Sequence, residues 1–244
     1  LVGRDEQLDY ATGIEQAGSV EAFIKNDLYN PKRQMLGEEQ EAWLQQALQG
    51  SKARDATWQV LGQQVLMGKL NIPVIPPEEL AKLELSEYAR PRVAQTQRLA
   101  PYGLPSNLDA WDGYPAARER LFAMLSAHAT NPISLAGDTH NGWAFNLTNQ
   151  KGEAVGVEWG TPGVSSPGLE NYVPLPPDQM QELLKGASPE LVACDTSQRG
   201  WTQVTLTPEA ATAQWRFVSS VIEPAYQTSA GEPLVTQRNA RTLA

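Results

Sequence analysis

The feature that most constrains this chain is a short apolar strand that ends at a glycine and is followed by an acid and a histidine. It lies in residues 131–143, which read N-P-I-S-L-A-G-D-T-H-N-G-W. Residues 133–136 predict a buried β-strand, and Gly137 allows a sharp turn or a close approach of the backbone to a ligand. If the backbone stays extended past this glycine, Asp138 and His140 point to the same side, because side chains alternate along a strand.

A carboxylate and an imidazole that converge at the end of a strand form half of a metal site. Asp138 and His140 are therefore the candidate metal ligands. The competing interpretation is that Asp138 caps a turn while His140 packs against Trp143, because Asp-x-His is a short motif with many accidental matches.

Composition limits what else the chain can do. Its 244 residues, 41% of them hydrophobic, are enough for one large domain or a substantial half of a bigger one. The net charge of −9 argues against a nucleic-acid backbone as the main partner. No apolar run approaches the roughly 18 residues that a membrane span needs. The single cysteine, Cys194, follows apolar residues and predicts a small buried hydrophobe that forms no intrachain disulfide.

Hydrophobic periodicity and turn residues predict the elements. Helices are predicted at residues 15–28, 38–48, 115–128 and 178–185. Strands are predicted at residues 57–67, 133–136, 142–148, 154–160, 201–206 and 214–221. The proline-rich segment 71–106 predicts a long surface excursion of the kind that forms active-site lids, and a polar tail begins at residue 223. Helices early and strands late predict one half of a sheet-and-helix sandwich.

Several segments of the chain occur together in a characteristic order. They are residues 33–44, 56–67, 111–115, 137–140, 200–209 and 214–218. In this order they resemble the C-terminal half of the catalytic domain of PhoD-like alkaline phosphatases/phosphodiesterases, which are metallophosphatases. The resemblance runs from about Arg4 to Val218. Members of the family usually have His-Gly where this chain has Arg199-Gly200.

The resemblance implies an α/β (α+β) fold, the C-terminal half of a metallophosphatase-type β-sandwich flanked by helices, over residues 1–222. It also implies a metal-dependent phosphoester hydrolase that acts through a metal-activated water and a cluster containing Ca²⁺ and Fe³⁺, although other divalent metals are possible. This chain would supply part of the metal site. The N-terminal half of the same protein, as a separate chain or a missing segment, would supply the rest. The family is bacterial and exported, so a periplasmic or extracellular location is expected.

Two further residues are candidates for binding substrate. Asn141 could donate its amide to a phosphate oxygen, although it could equally be a turn residue. Arg33 could bind phosphate through its guanidinium, and a buried ion pair is the competing account.

Other polar residues have stronger structural interpretations. His128 is expected to lie near the end of a helix, where its imidazole would interact with the helix dipole. Asp112 is expected in a turn capped by Asp109, although both could line the entrance to the site. Ser165 and Ser166 are expected to be loop residues, because no His–acid partner accompanies them. A chain that begins at Leu1 without a signal-peptide pattern suggests a processed or truncated product. The alternative function is a non-catalytic binding module or a degenerate homologue.

Overall fold

The central strands carry apolar side chains on both faces, so they must be covered from both sides. In the strand Gly142–Thr148, Trp143, Phe145 and Leu147 are buried on one face and Ala144 on the other. A strand with this pattern belongs in the middle of a layered structure rather than at its surface. The computed structural model, which describes residues 8–244, has such layers: helices, a mixed sheet and a smaller antiparallel sheet.

The helices are α1 (Tyr10–Ala17), α2 (Val20–Phe23), α3 (Glu38–Ala53), α4 (Pro77–Leu80), α5 (Ala89–Leu99), α6 (Pro115–His128) and α7 (Pro177–Ala187). A π-helical turn, Ile24–Leu28, continues α2, and short 3₁₀ helices cover Ala100–Tyr102, Trp111–Gly113 and Leu169–Asn171. None of the helices within residues 8–244 is long and apolar enough to cross a membrane.

The strands are β1 (Gln59–Gly62), β2 (Pro132–Ala136), β3 (Gly142–Thr148), β4 (Ala154–Gly160), β5 (Leu191–Asp195), β6 (Arg199–Leu206), β7 (Ala210–Val218), β8 (Thr228–Ala230) and β9 (Leu234–Gln237). The first sheet has the order β1-β2-β4-β3-β5. In it, β2 is parallel to β1 and β4, whereas β3 is antiparallel to β4 and β5. In the second sheet, β7 pairs with β6 on one side and with β8 and β9 on the other.

Two cores hold the layers together. Between the helices and the first sheet, residues such as Phe122 and Leu125 of α6 pack with Phe145 and Leu147. Between the two sheets, the buried residues are Ile133, Ala144, Val157, Trp159, Ala211, Ala213, Trp215 and Phe217. Face-to-face packing of two sheets, with helices on the outer face of the first, confirms the sandwich architecture expected from the sequence.

Local signals predicted several elements correctly. The strands β3 and β4 and the helix α6 have the predicted bounds. The predicted helix 15–28 is instead interrupted, because Gly18 adopts φ +82° and Ser19 caps a new helix by accepting a hydrogen bond from the amide of Ala22. The predicted strand 57–67 ends at Gly62, and residues beyond it form a loop whose amides bind a buried acid.

Two segments have more structure than predicted. The segment 71–106 is not a simple surface excursion, because it contains α4 and α5 and buries Ile72 and Leu104 in a third core with Phe23 and Leu28. Residues 223–244, predicted as a tail, add β8 and β9 to the second sheet. Strand β5 was not predicted. Its Cys194 is buried as expected, and burial raises the pKa of the thiol to about 12.

A buried arginine connects the helical layer to the first sheet. Arg118 of α6 is 1% exposed and donates to the carbonyls of Met67 (2.6 Å) and Thr148 (3.1 Å). Its Nη2 forms an ion pair of 2.6 Å with Glu190, which also accepts from the hydroxyl of Thr148 and the amide of Lys69. Every charged atom in this pair therefore has hydrogen-bonding partners, as burial requires.

A second buried acid holds the loop that follows β1. Glu158 of β4 is fully buried and accepts hydrogen bonds from the amides of Met67 and Gly68 and from the hydroxyl of Ser134. Burial raises the pKa of this carboxyl, and the amide hydrogen bonds oppose that rise. Glu158 is thus one of the side chains that bind the loop between β1 and the segment 71–106 to the sheet.

Replacing Arg118 should test the importance of this pair. Arg118→Met leaves Glu190 buried without its cation, so we expect a loss of about 3–5 kcal/mol in the free energy of unfolding. The double variant Arg118→Met/Glu190→Gln should recover part of that loss. Arg120→Met on the same helix is the control, because its ion pair with Glu41 is partly exposed and should contribute below about 1 kcal/mol. Urea unfolding measures all three, and equal losses for Arg118 and Arg120 would contradict the assignment.

Candidate functional site

The turn between β2 and β3 is held in place at both of its ends. The amide of Gly137 donates to the carbonyl of Gln64 (3.0 Å), in the loop after β1. The amide of Gly163, in the loop after β4, donates to the carbonyl of His140 (2.9 Å). Because the carboxyl ends of parallel strands meet at one edge of a sheet, loops from three neighbouring strands come together here.

The backbone of this turn is not extended as the sequence argument assumed. Asp138 has φ +69° and His140 has φ +61°, both in the left-handed region. Each such residue costs on the order of 1–2 kcal/mol, and strain of this kind clusters at functional sites. Both residues nevertheless line the same pocket, and the convergence of their side chains on a metal stays a prediction.

The imidazole of His140 is oriented by a backbone carbonyl. Its Nδ1 lies 2.9 Å from the carbonyl oxygen of Pro167. A carbonyl can only accept, so Nδ1 carries the hydrogen, and in the neutral imidazole Nε2 then has the lone pair. Metal-ligating histidines are commonly oriented in this way, with one ring nitrogen bound to the protein and the other directed at the metal. The carboxylate of Asp138 is exposed and available beside it.

Trp143 does not need His140 as its polar partner. Its indole Nε1 donates to the hydroxyl of Thr139 over 2.6 Å, and its ring is 2% exposed. The side chain between the two candidate ligands therefore anchors the turn to β3. This leaves the imidazole of His140 directed towards Pro167 rather than engaged with the tryptophan nitrogen.

Asn141 carries a buried donor without a partner. The side chain is 2% exposed, and its Oδ1 accepts from the amide of Leu169 (3.3 Å). Within residues 8–244 its Nδ2 has no hydrogen-bond partner, which is costly unless a ligand or water accepts from it. Gly168 is required beside it, because a Cβ at that position would lie 2.2 Å from Nδ2.

These residues lie at one end of a pocket of about 450 Å³. Residues 138–141 form its polar end, and α5, α7 and residues 167–173 form its other walls. The volume falls within the range of about 300–1,000 Å³ that is typical of small-molecule sites.

Arg33 lies elsewhere in the fold. Its Nη1 donates to the carbonyl of Gly113, its guanidinium lies 3.9 Å from the ring centroid of Tyr114, and it does not line this pocket. It therefore packs the start of α6, and a phosphate-binding role for it stays a prediction.

The remaining acids and His128 do not join the pocket either. Asp112 is buried in its 3₁₀ turn and accepts from the amide of Leu70 (2.9 Å), and burial raises the pKa of its carboxyl to about 7. The cap predicted for Asp109 is absent, because the turn Trp111–Gly113 has no side-chain cap, and the amide of Asp109 instead donates to the side chain of Asn107 in a separate turn. His128 lies in the last turn of α6, as predicted.

Arg199, at the position where the family usually has histidine, contacts the segment that follows β4. Its guanidinium forms an ion pair with Glu170, in the 3₁₀ helix that follows Gly168. The next residue, Gly200, donates its amide to the carbonyl of Gly163. Arg199 and Gly200 thus contact the loop that carries Pro167, the hydrogen-bond partner of His140.

In the part of the chain that the structure describes, no group of three or more His, Cys, Asp or Glu side chains is close enough to hold a metal ion. The site residues that sequence reasoning missed are Thr139, Pro167 and Leu169. Thr139 lies inside the motif itself. Pro167 and Leu169 act through backbone atoms 27 and 28 residues away from their partners, and no sequence pattern signals such contacts.

The fold and the site together define a layered α/β sandwich that presents an acid–histidine pair at the ends of its parallel strands. The chain belongs to the PhoD-like phosphatase family, whose model matches residues 4–215.

Two relatives show the extent of the similarity. Alkaline phosphatase D of Bacillus subtilis (strain 168) is 29% identical over 219 residues, which cover 88% of this chain and 32% of that protein. A solved structure described as "Structure of PhoD" is 27% identical, with a TM-score of 0.61, and the match covers 88% of this chain and 36% of that one. The chain thus spans about a third of the length of these relatives.

The left-handed backbone at Asp138 predicts an unusual preference for glycine. In metal-free protein, Asp138→Gly should be more stable than Asp138→Ala by about 1 kcal/mol, because glycine adopts positive φ without steric cost. Asp195, at the end of β5, lacks a positive φ, so there the alanine variant should be the more stable one. Thermal unfolding of the four variants measures both differences, and the same order at both positions would refute the strain.

Proposed function

We propose that this chain forms part of a metal-dependent phosphoester hydrolase in which Asp138 and His140 hold a metal ion. One observation carries the proposal: a backbone carbonyl fixes the imidazole of His140 so that Nε2 has the lone pair in the neutral ring, in the same pocket as the carboxylate of Asp138. Family membership supports phosphoester chemistry.

The donor set agrees with the metals that we propose. A carboxylate oxygen and an imidazole nitrogen suit iron, and Ca²⁺ accepts carboxylate oxygens among its six to eight ligands. A bound metal supplies an acidified water and absorbs negative charge on the phosphate oxygens. Pro167 holds the imidazole in one tautomer, and Thr139 restrains the turn by accepting from the indole of Trp143. The unpartnered Nδ2 of Asn141 would donate to a phosphate oxygen.

Two donors are too few for such a site, so we propose that the rest of the catalytic domain supplies the others. That partner is the N-terminal half of the same protein, as a separate chain or a segment of a longer one. The short span of the chain relative to its relatives supports this proposal. A bacterial, exported location is proposed on family membership alone, and cell fractionation of the source organism would test it.

The edge of the first sheet offers a surface for this partner. Among the described residues, β1 pairs only with β2, so its outer edge is open to a further strand. Beside it lies a groove of about 400 Å³ between α3 and β1. Its lining includes Trp43, which is 67% exposed, and Val60, which is 42% exposed. Open backbone groups next to exposed apolar side chains favour an added strand with its own apolar side chains.

Substitution of the two proposed ligands tests the function. In the complete protein, Asp138→Asn and His140→Ala should each lower the bound metal per molecule and reduce kcat by several orders of magnitude. The melting temperature of the metal-free protein should stay nearly unchanged, because both side chains are exposed. Metal analysis, hydrolysis of p-nitrophenyl phosphate and bis(p-nitrophenyl) phosphate, and thermal unfolding provide the three readouts.

A purely structural role for these residues predicts the opposite result. Melting temperature would then fall while metal content and kcat stay near wild type. Unchanged metal content in His140→Ala would show that the ligand assignment is wrong, and it would favour a non-catalytic module.

The partner surface is tested through stability in two contexts. Trp43→Glu should change the stability of the isolated 244-residue chain by no more than about 0.5 kcal/mol, because the side chain is mostly exposed there. In the complete protein the same variant should lose about 2 kcal/mol or more if the indole is buried against the remaining half. Ile222→Glu, at an exposed side chain outside the groove, should be neutral in both. A neutral Trp43→Glu in the complete protein would place the partner elsewhere.

A further inference from the structure

The pocket beside Asp138 and His140 has a polar end and an apolar body. Beyond residues 138–141, its walls come mainly from apolar side chains of α5, α7 and the segments around them. Those that form the body include Leu70, Ile75, Val93, Leu169, Val173 and Met180. A phosphate at the polar end would place its organic group against these walls.

Two polar side chains in the body of the pocket, Gln97 and Thr96, bind backbone groups of the protein itself. Gln97 accepts from the amide of Ile75 (2.8 Å) and donates to the carbonyl of Pro73 (3.0 Å). Thr96 donates its hydroxyl to the carbonyl of Val93. Because these groups are already satisfied, they offer little to the hydroxyls of a sugar or the ring nitrogens of a base.

The scarcity of basic side chains in the pocket excludes a nucleotide or polyphosphate as the organic group. Apart from His140, Arg92 is the basic side chain among the described residues that line it. Its guanidinium stacks on Tyr88, 3.7 Å from the ring centroid, and donates to the carbonyl of the same residue. Arg92 is exposed and held against its own helix, so the apolar body lacks the cluster of cations that a nucleotide or polyphosphate would require.

An aromatic contact connects two of the elements that line the pocket. Tyr88, at the start of α5, lies 6.3 Å (ring centroids) from Tyr172, which follows the 3₁₀ helix Leu169–Asn171. This contact joins α5 to the loop that carries Leu169. The segment 71–106 therefore forms part of the pocket through its helix α5, although its sequence predicted a simple surface excursion.

We propose that this pocket binds the apolar organic group of a phosphoester substrate, an alkyl or aryl group, while the phosphate lies at Asp138, His140 and Asn141. The inference rests on the proposed function and adds the substrate class. The unpartnered, buried Nδ2 of Asn141 marks the polar end, and the apolar side chains that line the body mark the apolar end.

The test uses the complete enzyme and a series of n-alkyl phosphates from ethyl to hexyl, as mono- or diesters according to which class it hydrolyses. Their leaving alcohols have similar acidity, so a difference in kcat/KM reports binding of the chain rather than intrinsic reactivity. We expect kcat/KM to rise by about three- to fourfold for each added CH₂ until the pocket is full. Release of inorganic phosphate or alcohol is the measurement.

A pair of leucine variants provides the control. Leu169 and Leu183 are both half-buried and pack against the same core, but only Leu169 lines this pocket. Leu169→Asn should reduce the ratio of kcat/KM for hexyl over ethyl ester by about tenfold or more, whereas Leu183→Asn should leave that ratio unchanged. Melting temperatures of both variants separate lost binding from lost folding.

The outcomes separate failure of the proposed function from failure of the proposed apolar subsite. If the complete enzyme hydrolyses none of the esters, including the p-nitrophenyl substrates, the proposed function fails. If it hydrolyses them with a flat dependence on chain length, or if both variants change the ratio equally, the function stands and the apolar subsite is refuted. In that case another part of the complete protein fills the pocket.

Discussion

The structure depends on one buried cation and the acids around it. Arg118 reaches from α6 to the carbonyl of Met67 and to Glu190, while Glu158 holds the amide of the same Met67 from the opposite side. The loop that they fix continues to Leu70, whose amide is bound by Asp112 and whose side chain lines the pocket. This charge network therefore helps to position a wall of the pocket, although none of its charged residues lines the pocket.

That network contains more buried acids than buried cations, so the free energy of unfolding depends on pH. Burial raises the pKa of Asp112 from 3.8 to about 7 and also raises that of Glu158. The folded state therefore binds more protons than the unfolded state above pH 3.8, and stability falls as pH rises towards 7. The slope contributed by Asp112 is at most about 1.4 kcal/mol per pH unit. The hydrogen bond from the amide of Leu70 opposes the rise in pKa and limits this cost.

Local signals in the sequence predicted the helices and strands whose conformation depends on residues close to them along the chain. Alternation identified β3 and β4, and periodicity with a starting proline identified α6. Long-range contacts decided the rest. Ile72 and Leu104 are buried against Phe23 of α2 and Leu28 of the π-helical turn that follows it. The short strands β8 and β9 form by pairing with the two ends of β7. The spacing of Asp138 and His140 predicted them as metal ligands, and that stays a prediction, but the extended backbone assumed for them was wrong. The contact of His140 with Pro167 could not be predicted, because the two residues lie 27 positions apart in the chain.

The site and the proposed partner surface share the same strand ends. The carbonyl of Gln64, just beyond β1, accepts from Gly137, and the loop after β4 binds the carbonyl of His140. β1 is the edge strand of the first sheet. A further strand added to its outer side would therefore place the loop at one of its own two ends beside Gln64. A parallel addition would bring the carboxyl end of that strand to the same edge as Asp138, where the proposed metal site would take its further ligands. An antiparallel addition would bring its amino end there instead. The hydrogen bonds from Gly137 to Gln64 and from Gly163 to His140 therefore connect the open edge of β1 and the loop after β4 to the turn that carries Asp138 and His140.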